Sequence, residues 1–317
     1  MITTVTLNAS IDKAYHMQEE IVNGTVMRVA STRNSAGGKG LNVARVVKLC
    51  GEKVQATGLV GGYNGDYLKA LLDEDGISHD FGQIEGETRS CINVLDPGYG
   101  STEYLESGCE VTAEEEDAFI DHFCGLVHRS DVITISGSAP KGVRKDVYRR
   151  MISIAKRMDK QVILDTSGDL LKEGIKAKPT MVKPNKDEIE MLFDTQIESR
   201  EDVIQYGKMI YEQGIPYVVI SLGGEGALLV CEEGIFQGKP PKMEVVNTVG
   251  CGDSMVGAFA VAMERKYEAK EALRYGVAVA TANAMSPNTG NFDPKVMEEL
   301  LNEIQIIQVE KGELQCH

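Results

Sequence analysis

The segment Asn247-Thr248-Val249-Gly250-Cys251-Gly252-Asp253-Ser254 sets two glycines and a carboxylate at the mouth of an apolar run, Met255-Val256-Gly257-Ala258-Phe259-Ala260. Glycines one residue apart let the backbone take positive φ and turn several N–H groups to one point. A helix N-terminus adds partial positive charge there, which suits a phosphate or a developing oxyanion. A carboxylate beside a bound anion is repelled by it, so Asp253 calls for a reason. Proton acceptance from an alcohol attacking a phosphoryl group supplies one. A plain strand–turn–helix connection, with Asp253 in the first helical turn, fits the same eight residues.

Three further turns carry residue types of interest. Ala36-Gly37-Gly38-Lys39-Gly40-Leu41-Asn42-Val43-Ala44-Arg45 leads into a helical pattern with a lysine inside the turn. It lacks the spacing and hydroxyl of a Walker A loop, and neither cluster gives the dinucleotide fingerprint G-x-G-x-x-G. Its glycines would let a polyhydroxylated substrate approach the backbone, with Asn42 bonding hydroxyls; a tight turn explains it equally. Val182-Lys183-Pro184-Asn185-Lys186-Asp187-Glu188 ends a strand. Asn185 and Glu188 form the capping-box pattern, while Glu188 also suits a Mg²⁺ that keeps most of its waters. Ser221-Leu222-Gly223-Gly224-Glu225-Gly226-Ala227 reads as a hairpin or as a wall against which a nucleotide lies. All four turns fall where a parallel sheet presents its carboxyl ends, the usual ligand edge of an open α/β sheet.

The elements that must position these turns alternate along the chain. Strands are predicted at residues 3–7, 55–60, 131–136, 161–165, 180–182 and 217–221. Helices are predicted at 41–50, 67–75, 114–128, 145–158, 186–193 and 200–213, with closing helices at 253–264, 270–285 and 294–308. Such alternation means βαβ units and a mostly parallel sheet covered on both faces. Residues 13–33 and 89–107 break the pattern with strands and turns only, and read as a small β appendage able to cover a site. Two surface hairpins would give the same pattern. The 317 residues are read as a single domain.

Composition excludes several classes. A formal net charge of −15 argues against nucleic-acid binding, and obliges any phosphate site to gather its lysines and arginines locally. The seven cysteines, Cys316 among them, include no C-x-x-C pair. Reduced thiols follow, rather than a disulfide frame or zinc site. No spanning apolar run and no signal-like N-terminus are present, so a cytoplasmic protein without membrane partners is expected.

Taken together, Gly37-Gly38-Lys39-Gly40-Leu41-Asn42-Val43-Ala44 and residues 247–254 resemble the two signatures of the ribokinase-like (PfkB) carbohydrate kinases. Thr4-Val5-Thr6-Leu7-Asn8-Ala9-Ser10-Ile11-Asp12 is similar to the opening of the branch acting on phosphorylated ketohexoses. Ser136-Gly137-Ser138-Ala139-Pro140-Lys141-Gly142, Asp165-Thr166-Ser167-Gly168, Lys183-Pro184-Asn185-x-x-Glu188 and Val219-Ile220-Ser221-Leu222-Gly223-Gly224 match that branch in the same order. Gly86-Glu87-Thr88-Arg89-Ser90-Cys91-Ile92 and Leu105-Glu106-Ser107-Gly108 look most like tagatose-6-phosphate kinases, with 1-phosphofructokinases next.

The resemblance implies a three-layer α/β fold with a mostly parallel central sheet, a small β-sheet lid and a homodimer formed through that lid. It implies MgATP as phosphoryl donor and tagatose 6-phosphate as acceptor. Fructose 1-phosphate is the alternative, ahead of fructose 6-phosphate, a nucleoside or free sugar, or a non-catalytic sensor. Asp253 would be the base and Gly250, Cys251 and Gly252 the anion hole. Asp12, Gly37, Gly38 and Asn42 would hold sugar hydroxyls; Lys39, Arg89, Arg28 and Ser138 would meet the substrate's phosphate. Lys183, Asn185, Ser221, Gly223, Gly226 and Thr248 would line the ATP site, with Asn283 near the adenine, and Glu188 would organise Mg²⁺. Cys251 stands where Ala or Ser is usual, and Ala9 where Pro is common; neither removes a chemical group.

Overall fold

The structure is a computed structural model, and it describes residues 1–311; Cys316 lies outside them. Its centre is an eleven-stranded sheet among the described residues. From one edge the order is Gln305–Lys311, Gly234–Lys239, Ala227–Cys231, Tyr217–Ser221, Met181–Val182, Gln161–Asp165, Val132–Ser136, Ile2–Thr6, Val54–Val60 and Ser78–His79, with Gly82–Gln83 also pairing on Val54–Val60. From Tyr217–Ser221 to Ser78–His79 all pairs are parallel. The three pairs at the other edge are antiparallel. Parallel strands need crossovers, and the predicted helices supply them.

Two apolar clusters lie on the two faces of this sheet. One packs Leu41, Val46, Val256, Phe259 and Leu273 against Ile2, Ile163 and Val219. The other packs Phe119, Phe123, Tyr148, Ile189 and Tyr211 against Ile133, Val162 and Leu164. Adjacent residues such as Val162 and Ile163 therefore point to opposite layers, as the period of a strand requires.

A separate four-stranded sheet comprises Val29–Gly37, Ser10–Met17, Arg89–Asp96 and Gly100–Leu105 in that order. Two of its strands extend beyond the predicted 13–33 segment at the end nearest the main sheet, so Asp12 and Gly37 belong to it, while the other two lie within 89–107.

Other elements differ from expectation at the C-terminal side. The predicted helix 294–308 ends at Glu303, and Gln305–Lys311 instead forms the edge strand beside Gly234–Lys239. Ile306, Ile307 and Val309 are β-branched and favour a pleated surface over a fourth helical turn. Strands Ala227–Cys231 and Gly234–Lys239 and the short helix Gly168–Gly174 were not expected. The turn after Ser221 is a hairpin connection, with Ser221 opposite Ala227 and a 3₁₀ turn at Gly223–Glu225. Among the described residues no helix is long and apolar enough to cross a membrane.

Candidate active site

Asp253 lies in the first turn of the helix Cys251–Glu264 and is only 7 % exposed. Gly250 caps that helix at φ +82°, a conformation an L side chain resists. The N–H of Ser254 bonds the Gly250 carbonyl, and the N–H of Cys251 bonds the Thr248 carbonyl at 3.3 Å. The N–H groups of Gly252 and Asp253 have no partner among the described residues, as the first turn of a helix leaves them. Of the expected anion hole at Gly250, Cys251 and Gly252, the Cys251 N–H closes the turn, whereas the Gly250 N–H, like that of Gly252, has no partner among the described residues.

Asn42, on the helix Lys39–Leu49, donates from Nδ2 to Asp253 Oδ2 at 2.8 Å. Its Oδ1 accepts from Arg45 Nη1 at 3.0 Å. The residue expected to bind sugar hydroxyls is therefore bound first to the carboxylate. Burial, then the nearby Asp165 carboxylate, push the Asp253 pKa up to about 6, while Lys39, Asn42 and Lys183 pull it back.

Asp165, at the carboxyl end of Gln161–Asp165, is fully enclosed between two ammonium groups. Lys183 Nζ stands 3.2 Å from Oδ1 and Lys39 Nζ 3.5 Å from Oδ2. Burial alone would raise this carboxyl, yet the two lysines hold it below its ordinary range. Burial likewise works against charge on Lys39, but Asp165, Asp253 and Glu188 outweigh it and raise its pKa. A Cβ added at Gly252 would stand 3.2 Å from Lys183 Nζ, so this ammonium borders the unpaired N–H groups. Lys39, expected with Arg89 to meet the substrate's phosphate, pairs with Asp165 in the structure.

Asn185 and Glu188 make the full capping box at the start of Lys186–Phe193, with bonds of 2.8 and 2.9 Å. Glu188 is buried, and burial followed by Asp165 raises its pKa against the Asn185 N–H. Its Oε2 accepts that N–H; Oε1 takes no hydrogen bond among the described residues. Capping thus occupies one carboxylate oxygen and leaves the other uncommitted. No group of three His, Cys, Asp or Glu among the described residues could hold a metal unaided. One half-committed carboxylate fits a cation that keeps its waters and leans on a ligand's phosphates.

On the small sheet, Ser10 Oγ donates to Asp12 Oδ1 at 2.6 Å, and burial raises the Asp12 pKa. A Cβ at Gly37 would fall within about 2 Å of that carboxyl, so only glycine leaves it room. Gly38, at φ +111°, turns the chain into the helix. Arg89 is held by three backbone bonds, from Nε and Nη2 to the Asn8 carbonyl and from Nη1 to that of Glu106. Guanidinium has five N–H donors, so two remain. Asn8 Nδ2 reaches Ser138 Oγ at 3.2 Å, which joins Ser138 to Arg89. Arg28 is not part of this group. It precedes Val29, at the end of the sheet opposite the Ser10–Gly37 pair, roughly 25–30 Å away at strand rise.

The Ser221 N–H bonds the Pro184 carbonyl at 3.2 Å, which brings the two turns expected to line the ATP site side by side. Gly223 is open, with nothing within 4 Å of an added Cβ; at Gly226 a Cβ would strike the Gly238 carbonyl, so that glycine serves strand packing. Thr248 is exposed. Asn283 departs from expectation: it is 0 % exposed and bonded to Val249 and Asn291, leaving no polar atom for an adenine.

Two residues were missed in the sequence. Asp165 carried a signal, an acid ending a buried strand before Thr-Ser-Gly. Asn8, which carries both Arg89 and Ser138, offered none beyond its motif.

Comparison with known proteins gives concordant results. A family model described as pfkB family carbohydrate kinase matches residues 5–296. The 1-phosphofructokinase of Bacillus subtilis is 35 % identical over 309 residues, covering 98 % of this chain and all of that protein. The tagatose-6-phosphate kinase of Staphylococcus epidermidis is 36 % identical over 313 residues, with the same coverage. Phosphofructokinase-2 from Escherichia coli, crystallised in complex with potassium, superposes with a TM-score of 0.90 at 28 % identity, covering 95 % of this chain and 98 % of that one.

Proposed function

The chain belongs to the pfkB family of carbohydrate kinases, and from that premise we propose how its site transfers a phosphoryl group. It is an ATP-dependent kinase whose acceptor is a phosphosugar. The observation that carries the mechanism is the convergence of Asp253, the unpaired Gly252 and Asp253 N–H groups and the Lys39–Asp165–Lys183 cluster at one helix N-terminus.

Asp253 takes the proton of the acceptor hydroxyl. The freed oxygen forms a bond to the γ-phosphorus as the bond from that phosphorus to the β,γ-bridging oxygen breaks, giving ADP and a bisphosphate. The two N–H groups and the Lys183 ammonium meet charge on the transferred group, with no reorganisation needed at the moment of reaction. Asn42 orients the base. At pH 7 a carboxyl with pKa about 6 is mostly ionised, and this basicity is nearer the operating pH than that of an ordinary aspartate. Mg²⁺, beside Glu188, would neutralise the nucleotide phosphates.

Asp12 would hold ring hydroxyls, and the two uncommitted N–H groups of Arg89, with Ser138, the phosphate already on the sugar. The acceptor is proposed to be tagatose 6-phosphate, on the likeness of residues 86–92 and 105–108. Fructose 1-phosphate is the second reading, favoured by the 35 % identical relative. Steady-state rates of ADP release with tagatose 6-phosphate, fructose 1-phosphate, fructose 6-phosphate and unphosphorylated fructose test this. Equal rates with fructose and its phosphates would refute the Arg89 assignment.

The small sheet would serve as lid and as dimer surface. Val29–Gly37 is an edge strand, and Val22, Val26, Val29, Tyr104 and Leu105 are exposed, an apolar set that a second copy would cover. Sedimentation equilibrium reads this directly; a monomer at micromolar concentration contradicts it.

A further inference from the structure

We propose that Asn283 is a positioning residue that sets the direction of the N–H groups in the turn ahead of Asp253. The proposal rests on the reading of that turn as the anion hole. Asn283 lies near the end of the helix Ala269–Ala284, wholly buried. Its Nδ2 donates to the Val249 carbonyl at 3.1 Å and stands 3.4 Å from Cys251 Sγ. Its Oδ1 accepts from the Asn291 N–H at 3.2 Å. Both hydrogens and the oxygen are therefore engaged inside the protein.

The consequence follows from peptide geometry. The Val249–Gly250 peptide is planar and trans. Fixing its carbonyl toward Asn283 turns the Gly250 N–H to the opposite edge, away from Asn283. Gly250 is the residue at positive φ, where glycine gives the peptide little rotational preference of its own. Something else must hold the plane. Packing contributes on one side, since a Cβ at Gly250 would lie 2.7 Å from Thr289 Cγ2 and 2.9 Å from the Gly290 nitrogen. The Ala284 carbonyl accepts from both Val246 and Asn247 N–H, fixing the approach to the turn. Among the described residues, Asn283 is the one side chain bonded to the flexible peptide itself and to the segment beneath it. Without its donor, the Val249 carbonyl is left unpaired and the plane is free to swing, carrying the next N–H groups off their target.

The test compares Asn283→Ala and the isosteric Asn283→Asp with wild type, using ATP and the best phosphosugar acceptor. Asn283→Asp keeps the acceptor for Asn291 and loses the donor to Val249 once the carboxyl is ionised, so its kcat is followed across pH. Both variants should lose about 10- to 100-fold in kcat, the scale of misplaced anion-hole donors. The KM values for ATP and sugar should stay within about 3-fold, and the preference for ATP over GTP should not move. Three outcomes overturn the proposal. A raised KM for ATP or a changed nucleotide preference with kcat intact would make Asn283 a nucleotide contact. Full kcat per folded molecule with a lowered Tm would make it a packing residue only. Wild-type kcat in Asn283→Asp that persists across the pH range would show that the donor is dispensable. Asp253→Asn, assayed alongside, separates this from the underlying reading: if it is inactive while Asn283→Ala is not, only the positioning role fails.

Discussion

Asn42 and Asp253, 211 positions apart, meet through a 2.8 Å hydrogen bond where two helix N-terminal regions face each other. The bond holds the carboxylate in one orientation within a site that excludes most water. The same enclosure, with Asp165 nearby, makes the carboxylate a stronger base than a surface aspartate. Position and basicity thus share one cause, the packing of Lys39–Leu49 against Cys251–Glu264.

The acid limb of kcat/KM should report that basicity. Its midpoint is expected near pH 6, following the raised pKa of Asp253. Asp165→Asn removes a charge that raises this pKa, so the limb should move to lower pH. A wild-type midpoint near 4 would show an unperturbed carboxylate.

Stability should carry the opposite face of the same shift. The folded pKa of Asp253, about 6, lies above its ordinary 3.8, so the favourable contribution of its protonated form is present below the unfolded value and lost as pH rises through 6. Asp253→Asn, which never ionises, should gain on wild type between pH 4 and 7, by about 3 kcal/mol at most. Thermal melts across that range measure the gap; a gap independent of pH contradicts the shift.

Arg89→Ala should raise the KM for the phosphosugar about 10- to 100-fold, the loss of charge-assisted bonds to a phosphate, with a much smaller effect on ATP. Arg89→Lys keeps the charge but not the fork held by Asn8 and Glu106, and should fall between. Equal effects on both substrates would remove Arg89 from the phosphate site.

Glu188→Gln separates capping from cation binding. Glutamine still accepts the Asn185 N–H, so Tm should change little, whereas the Mg²⁺ concentration for half-maximal rate should rise several-fold. Glu188→Ala should lower both stability and activity. An unchanged Mg²⁺ requirement in Glu188→Gln would leave Glu188 a cap alone.

The readable features of the sequence were the local ones. The Gly250–Asp253 turn, the Asn185–Glu188 cap and the Gly37-Gly38 entry to a helix are each specified by a few adjacent residues. Strand and helix alternation likewise gave the layered core, because periodicity is local. What depended on partners far along the chain was not readable. Lys39 turns to Asp165, 126 positions away, and Asn283 is sealed by the way its helix docks on the turn. Arg28 was displaced by strand register, which one sequence does not state. The strand Gln305–Lys311 was hidden by a helical pattern whose last residues only reveal their preference beside a free sheet edge.

The central claim is that Asp253 accepts the proton during transfer from ATP to a phosphosugar. Its most direct test is kcat for ADP release with tagatose 6-phosphate and MgATP, in wild type and Asp253→Asn, each shown to be folded and to bind ATP. Turnover by wild type and a loss of at least ~10²-fold in the variant is the expected result. Comparable turnover in Asp253→Asn would contradict the role of this carboxylate, whatever the sugar.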